Sequence, residues 1–346
     1  MCSQASTRPM RRVAVCGGTH GNELSGVTLA RLWLRDPAEL RRQTFAATAL
    51  LANPRATRHA RRYLDQDLNR SFTAEVLASP PAEDDPYEVT RAREINRLFG
   101  PKGSAEAFDF LLDMHNTTAN MGSCLIANSA HNTFVMHLCR HIQQLSLLWS
   151  VHPAPRGPGA QGPAGLGLGG NPVLCPPNHF APDPCPIYLF LLPGEQDYAL
   201  TSVGKNGLGL ELGPQPHGVV RADLLFRMRA LVSCVLDFID LFNQGTEFPA
   251  ADIEVYQSLD RVDYPRGPEG FLEAAVHPTL QDRDFLPLRP GAPVFQTFGG
   301  EEIVYEGAGT VYPAFINEAA YYEKGIAFSM TEKRTISLPA LRVSGD

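Results

Sequence analysis

No apolar run in this 346-residue chain approaches the roughly 20 consecutive residues that a bilayer-spanning helix needs. The opening MCSQASTRPMRR has no apolar stretch of the secretory-signal kind and no Met-Gly start for myristoylation, so membrane-integral and secreted classes are disfavoured. Basic charge is also short. The 30 Lys and Arg fall below the 37 Asp and Glu, a net charge of −7, whereas a duplex nucleic-acid binder needs cations to neutralise phosphates. Cysteine is present without a pattern: the seven are scattered, odd in number and free of any Cys-x-x-Cys pair. That argues against a disulfide framework or a cysteine-based structural zinc site. Most are expected to be reduced, buried thiols in a cytosolic protein. The 44% of hydrophobic residues suffices for one large or two modest domains at this length.

Strand-like and helix-like stretches alternate through the first two-thirds of the chain. Val13-Ala-Val-Cys16 reads as a buried strand, Leu24 to Leu34 as an amphipathic helix and Thr48 to Leu51 as another strand. Tyr87 to Phe99 has helical spacing and stops at Gly100-Pro101. Phe108 to Met114 and Gly207 to Leu212 are strand-like, with helices expected over Phe134 to Gln143 and Arg221 to Phe242. This order predicts an α/β domain over residues 10–245, a mixed, mostly parallel sheet with helices on both faces. Beyond Asn243-Gln-Gly, short alternating segments broken by Pro, Gly and Asp predict a smaller β-rich domain over 246–340. Residues 145–186 fit neither pattern. His152 to Pro186 holds 10 Pro and 7 Gly in 35 residues, a composition expected to form a disordered insertion.

The strongest local signal is Gly17-Gly18-Thr19-His20-Gly21-Asn22-Glu23, just beyond a strand, where open α/β sheets place ligands. An imidazole and a carboxylate three residues apart can converge on one zinc ion, and the glycines let the backbone turn tightly enough to aim both. Alone the pair is weak, and a phosphate-binding turn or an ordinary loop stays open. His115 ends a second strand-like run and completes a His₂Glu set of the catalytic-zinc type, with Asp113 two residues earlier able to orient an imidazole. His59, His137, His141 and His217 lack a carboxylate at ligand spacing and read as surface or core histidines. Glu211 lies in the apolar run Gly207-Leu-Gly-Leu-Glu-Leu, where burial raises a carboxyl toward a general-base value, unless it is a structural salt bridge. Arg62, Asn69 and Arg70, in RYLDQDLNRSF, suit a substrate carboxylate or an oxyanion, although Asn-Arg is also a common surface dipeptide.

Together, GGTHGNE, ANPRA, RYLDQDLNRSF, DPYEVTRAREIN, DMHNTTANMG, GLGLELGPQPHGVVRAD, HPTLQDRDF and VYPAFINEAAYYEK resemble the aspartoacylase family, a branch of the zinc carboxypeptidase-like amidohydrolases. The resemblance runs in order from residue 12 to about 328. It implies His20, Glu23 and His115 as ligands of one Zn²⁺ per subunit and Glu211 as the base that activates water. It also implies Arg62 on the acyl carbonyl, Asn69 and Arg70 on the amino acid α-carboxylate, and Tyr312 lining the pocket. A small N-acyl amino acid as substrate, a homo-oligomer and a cytoplasmic location, peripheral at the apical membrane in some relatives, are implied in the same way. The aspartate-specific branch carries an arginine for the side-chain carboxylate where this sequence has Thr201. The chain therefore resembles more closely the branch that acts on N-acyl aromatic amino acids and mercapturates. The alternatives are hydrolysis of N-acetyl-aspartate and an inactive binding homologue.

Overall fold

The computed structural model describes residues 5–151, 185–192 and 194–344. Most of the expected insertion, and its expected disorder, lies outside these residues. The chain opens with β1 (Ala5–Thr7) and β2 (Val13–Gly17), followed by α1 (Leu24–Arg35), β3 (Thr48–Leu51) and the short helices α2 (Pro54–Arg58) and α3 (Ala74–Ala78). It continues through α4 (Tyr87–Phe99), β4 (Phe110–Asn116), β5 (Gly122–Ala127), α5 (Thr133–Val151), β6 (Ile187–Leu189), β7 (Gly207–Gly213) and α6 (Ala222–Asn243). The remainder is β8 (Ala251–Asp263), β9 (Ala274–Val276), β10 (Pro293–Thr297), β11 (Glu302–Val304), β12 (Tyr312–Ala314), β13 (Ile326–Leu338) and β14 (Leu341–Val343). Helix α5 runs past the expected end at Gln143 to Val151, into the tract assigned to the insertion.

Among the described residues nine strands form one sheet in the order β12-β13-β8-β6-β5-β7-β4-β2-β3. The pairs β3–β2, β2–β4, β4–β7, β5–β6 and β6–β8 are parallel, and the others antiparallel. This is the mixed, mostly parallel sheet expected from the sequence. Strand β2 explains how both faces are covered. All five of its residues are buried, as in a strand packed on two sides. Val13 and Val15 face a core with Leu29 and Trp33 of α1 and Phe238 of α6, whereas Ala14 and Cys16 face a second core with Ala92, Ile95 and Phe99 of α4.

The C-terminal strands extend the same sheet. β8 joins β6 through Tyr188–Tyr256 and Leu189–Gln257 and pairs antiparallel with β13 along its length. The small antiparallel sheet β11-β10-β9 packs its own core, including Phe295, Val276 and Phe328. A buried carboxylate also ties this part to the loop that follows β4. Glu318 accepts hydrogen bonds from the hydroxyl of Thr117, from Thr118 N at 2.7 Å and from Ala119 N at 3.2 Å, all in the loop after β4. It also caps its own turn by accepting from Ala320 N at 3.0 Å.

Burial alone pushes the Glu318 carboxyl up, but His217 and these donors outweigh it and hold the group at about 2, against an ordinary value of 4.5. A depressed carboxylate stabilises the fold fully above its unfolded value and loses that contribution as pH falls toward its folded value. Glu318→Ala leaves these buried donors without their acceptor and is therefore expected to cost about 1–3 kcal/mol near neutrality. Urea denaturation should show this gap between wild type and variant narrowing between pH 4.5 and pH 2.

Candidate active site

The site lies at the carboxyl ends of β2, β4 and β7. After β2 the chain passes through Gly18, whose φ of 68° is left-handed, and reaches α1 at Leu24. At Gly21 an added Cβ would sit 2.3 Å from the carbonyl carbon of Ala56, so only glycine lets the loop lie on α2. Gly21 N donates to Arg62 O at 3.1 Å, which pins this loop to the segment bearing Arg62. In β4 the two-residue period puts Asp113 and His115 on the same face as Leu111, which packs in the α4-side core. In β7, Leu208, Leu210 and Leu212 fill the large core on the opposite face, and Gly209 and Glu211 line a cleft. Alternate leucines bury one face while glycine opens room beside a single carboxylate on the other. Parallel pairing of β4 with β7 sets His115 opposite Glu211.

His20, Glu23 and His115 are buried, and one nitrogen or oxygen from each lies within 4.8 Å of the others. Glu23 Oε1 is 2.6 Å from His20 Nδ1, and Oε2 is 2.9 Å from His115 Nδ1. The outer nitrogens face carboxylates: His20 Nε2 lies 3.0 Å from Asp67 and His115 Nε2 lies 2.8 Å from Asp113. Asp113 is itself held by the Thr19 hydroxyl at 2.8 and 2.9 Å. With Asp67 and Asp113 placed to accept from Nε2–H, each Nδ1 would be free to join Glu23 around a shared cation, the arrangement found around metal-binding histidines. Two neutral nitrogens and an anionic oxygen fit a divalent cation of the zinc type.

The charges support this. Burial would raise Glu23, but His20 and His115 outweigh it and keep the carboxyl well below its usual range. Burial would lower His115, but Asp113 and Glu23 hold it well above its usual value, so this pocket favours positive charge. Asp67 is depressed against its burial by His20 and Arg62. Glu211 goes the other way. Burial pushes it well above the carboxylate range, and Glu23 and Glu318 push in the same direction.

Of the residues expected in the site, His20, Glu23, His115, Arg62, Asn69, Arg70 and Glu211 all line one cleft. Arg62 donates to Glu23 at 3.0 Å and to Asp67 at 3.4 Å, and its Nε makes no hydrogen bond among the described residues. Asn69 Oδ1 accepts from Leu200 N at 2.9 Å, which turns its NH₂ away from that contact. The Arg70 guanidinium lies 4.6 Å from the centre of the Tyr198 ring. Tyr312 is the exception. It pairs with Thr331 at the sheet's far edge and packs on the Tyr256 ring at 5.6 Å, so it is not among the lining residues. From the same motif it is Tyr321, on the turn that Glu318 caps, that lines the cleft. Residues 187–202, to which the sequence assigned no role beyond Thr201, contribute Tyr188, Phe190, Ala199 and Thr201 to the lining. Asp67, Glu318 and Tyr321 were missed, although each lies within a segment that carried the resemblance.

The comparisons agree with this architecture. Residues 9–239 match the succinylglutamate desuccinylase/aspartoacylase catalytic domain, and residues 251–333 match the barrel-sandwich hybrid domain of the same family. The N-acyl-aromatic-L-amino acid amidohydrolase (carboxylate-forming) of Homo sapiens is 57% identical over 99% of this chain and 97% of its own length. Aspartoacylase of Mus musculus is 43% identical over 99% of each chain. The crystal structure of murine aminoacylase 3 is 50% identical and superposes with a TM-score of 0.84, covering 97% of this chain and all of that one. With both domain types matched in order and full-length relatives at this identity, the chain belongs to the succinylglutamate desuccinylase/aspartoacylase family.

Proposed function

We propose that this chain hydrolyses the amide bond of N-acyl aromatic L-amino acids and of mercapturates, with one Zn²⁺ held by His20, Glu23 and His115. The observation that carries the reading is the convergence of this buried donor set, Glu211 and the Asn69–Arg70 pair on one cleft. The coarser activity follows from the family: the chain is an amide-hydrolysing enzyme for small acyl amino acids. When bound, zinc supplies positive charge that acidifies a water and draws electron density from the acyl carbonyl. Glu211, with its affinity for a proton raised by burial, takes one from the attacking water and returns it to the leaving amine nitrogen. Arg62, whose charge is reinforced by Asp67 and Glu23 against its burial, donates to the oxygen that becomes negative as the acyl carbon turns tetrahedral. Asn69 and Arg70 hold the α-carboxylate, and the products are a free carboxylate and an amino acid.

The side chain of the substrate would meet Ile126, Tyr188, Phe190, Phe315 and Thr201, an apolar wall without a cation. That favours aromatic substrates over N-acetyl-aspartate, whose second carboxylate would be desolvated without a partner. The same reading treats 10–245 as the catalytic unit, 246–340 as the β-rich unit, and the assembly as a cytoplasmic homo-oligomer. No helix among the described residues is long and apolar enough to cross a membrane.

His115→Ala should remove bound zinc and activity together, and atomic absorption on the purified variant reads the first directly. Full zinc content with full activity would overturn the ligand assignment. Glu211→Gln should keep the metal and lose at least roughly 10²-fold in kcat, the usual contribution of a positioned base. In a deacetylation panel the wild type should prefer N-acetyl-tyrosine to N-acetyl-aspartate. Thr201→Arg should raise the aspartate activity by roughly 10- to 100-fold, as a charge-assisted bond of about 1.5–3 kcal/mol allows.

A further inference from the structure

In the segment that carries Arg62, Asn69 and Arg70, only Leu68–Arg70 form regular structure, a single 3₁₀ turn capped by Asp67. Between Arg62 and Asp67 it forms neither helix nor strand. Three of its backbone amides, at Leu64, Asp65 and Gln66, are satisfied by one side chain. Glu88, the second residue of α4, is 0% exposed and does not line the cleft. Its Oε1 accepts from Leu64 N at 2.8 Å, and its Oε2 accepts from Asp65 N at 3.1 Å and Gln66 N at 3.3 Å. Three consecutive amides thus converge on one carboxylate. Asp65 returns the contact, its Oδ2 accepting from Tyr87 N at 2.8 Å in the first turn of α4. Glu88 Oε1 also accepts from Asn53 Nδ2 at 3.1 Å, and Asn53 N donates to Gly18 O at 3.0 Å in the loop that precedes His20.

We propose that Glu88 is the positioning residue of the carboxylate-recognition loop, setting the enzyme's preference for substrates with a free α-carboxylate. The proposal rests on the reading that Asn69 and Arg70 hold that carboxylate. The chemistry requires a carboxylate here: its two oxygens offer four acceptor sites to four donors, whereas an amide offers one oxygen and adds two donors. A Glu88→Gln protein therefore leaves loop amides unpaired and frees the backbone between Arg62 and Asp67. Arg62 is tied by ion pairs to both Glu23 and Asp67. Arg70 instead donates to the backbone of Asn69 and rests on Tyr198, so its position depends more on the backbone that Glu88 holds. Carbonyl polarisation is therefore affected less than carboxylate binding. Neither the metal-binding residues nor Glu211 contact Glu88 through a hydrogen bond among the described residues.

The test is the ratio of kcat/KM for N-acetyl-L-tyrosine to that for N-acetyl-L-tyrosine amide, measured with zinc content in the full-length enzyme. The wild type should show a high ratio. Glu88→Gln should lower it at least 10-fold, mainly through KM for the carboxylate substrate, with the amide rate within about threefold of wild type and the zinc stoichiometry kept. Glu88→Asp, which keeps the charge but withdraws it by one methylene, should lower the ratio by a smaller factor and serves if the glutamine variant does not fold. A high wild-type ratio left unchanged in the variants, with both substrates slowed in parallel, overturns the role of Glu88 alone. A wild-type ratio near one overturns the assignment of Asn69 and Arg70, and this proposal with it.

Discussion

Everything at the cleft depends on keeping Glu23 ionised where water is scarce. A lone buried carboxylate would take up a proton, since the charged form loses its hydration. Here two imidazoles, the Arg62 guanidinium and the backbone amide of Asn116 at 3.1 Å surround it. The imidazoles are in turn backed by Asp67 and Asp113. Donors and carboxylates alternate outward from Glu23, so each of these buried carboxylates has a donor at hydrogen-bond distance. Glu211 is left out of this alternation. It faces the cleft, and the two glutamates nearby oppose its ionisation. One cluster therefore holds carboxylates of two kinds, one kept ionised and one that favours its proton, and environment alone separates them.

The sheet makes this separation possible. Because strands β4 and β7 alternate side chains strictly, each can devote one face to leucine, phenylalanine and methionine and still present polar groups on the other. The polar groups are placed by the same register that packs the core. A slip of one residue in the β4–β7 pairing would turn Glu211 into the large core and Leu210 or Leu212 into the cleft. Packing and chemistry are thus fixed by one decision.

Much of this was legible in the sequence where the signal was local. Helix α4 matches its apolar spacing and its Gly-Pro stop residue for residue, and β2 and β7 lie within a residue of the expected spans. His20 and Glu23 were found because they lie three positions apart in a glycine-bearing turn. What failed was long-range. Strand β13, IAFSMTEKRTISL, is interrupted by charged residues that face out from the far half of the strand, so it does not look like the 13-residue partner of β8 that it is. Tyr312 and Tyr321 lie in the same motif, and only pairing with Thr331 and capping by Glu318 decide which one reaches the cleft. Asp67 sits 47 positions from the imidazole it supports, a contact that periodicity cannot reveal.

The C-terminal wall has a consequence for how the enzyme comes into being. Phe315, Glu318 and Tyr321 are delivered to a cleft whose other side is built from residues near position 20. A chain emerging from the ribosome can form the parallel strands β2, β3, β4 and β7 early, since domains tend to fold as they are completed. The wall formed by Phe315, Glu318 and Tyr321 is added only when β13 pairs with β8 and the turn after Asn317 docks on the Thr117 loop. Without that turn, His20, Glu23 and His115 would lack one side of their enclosure.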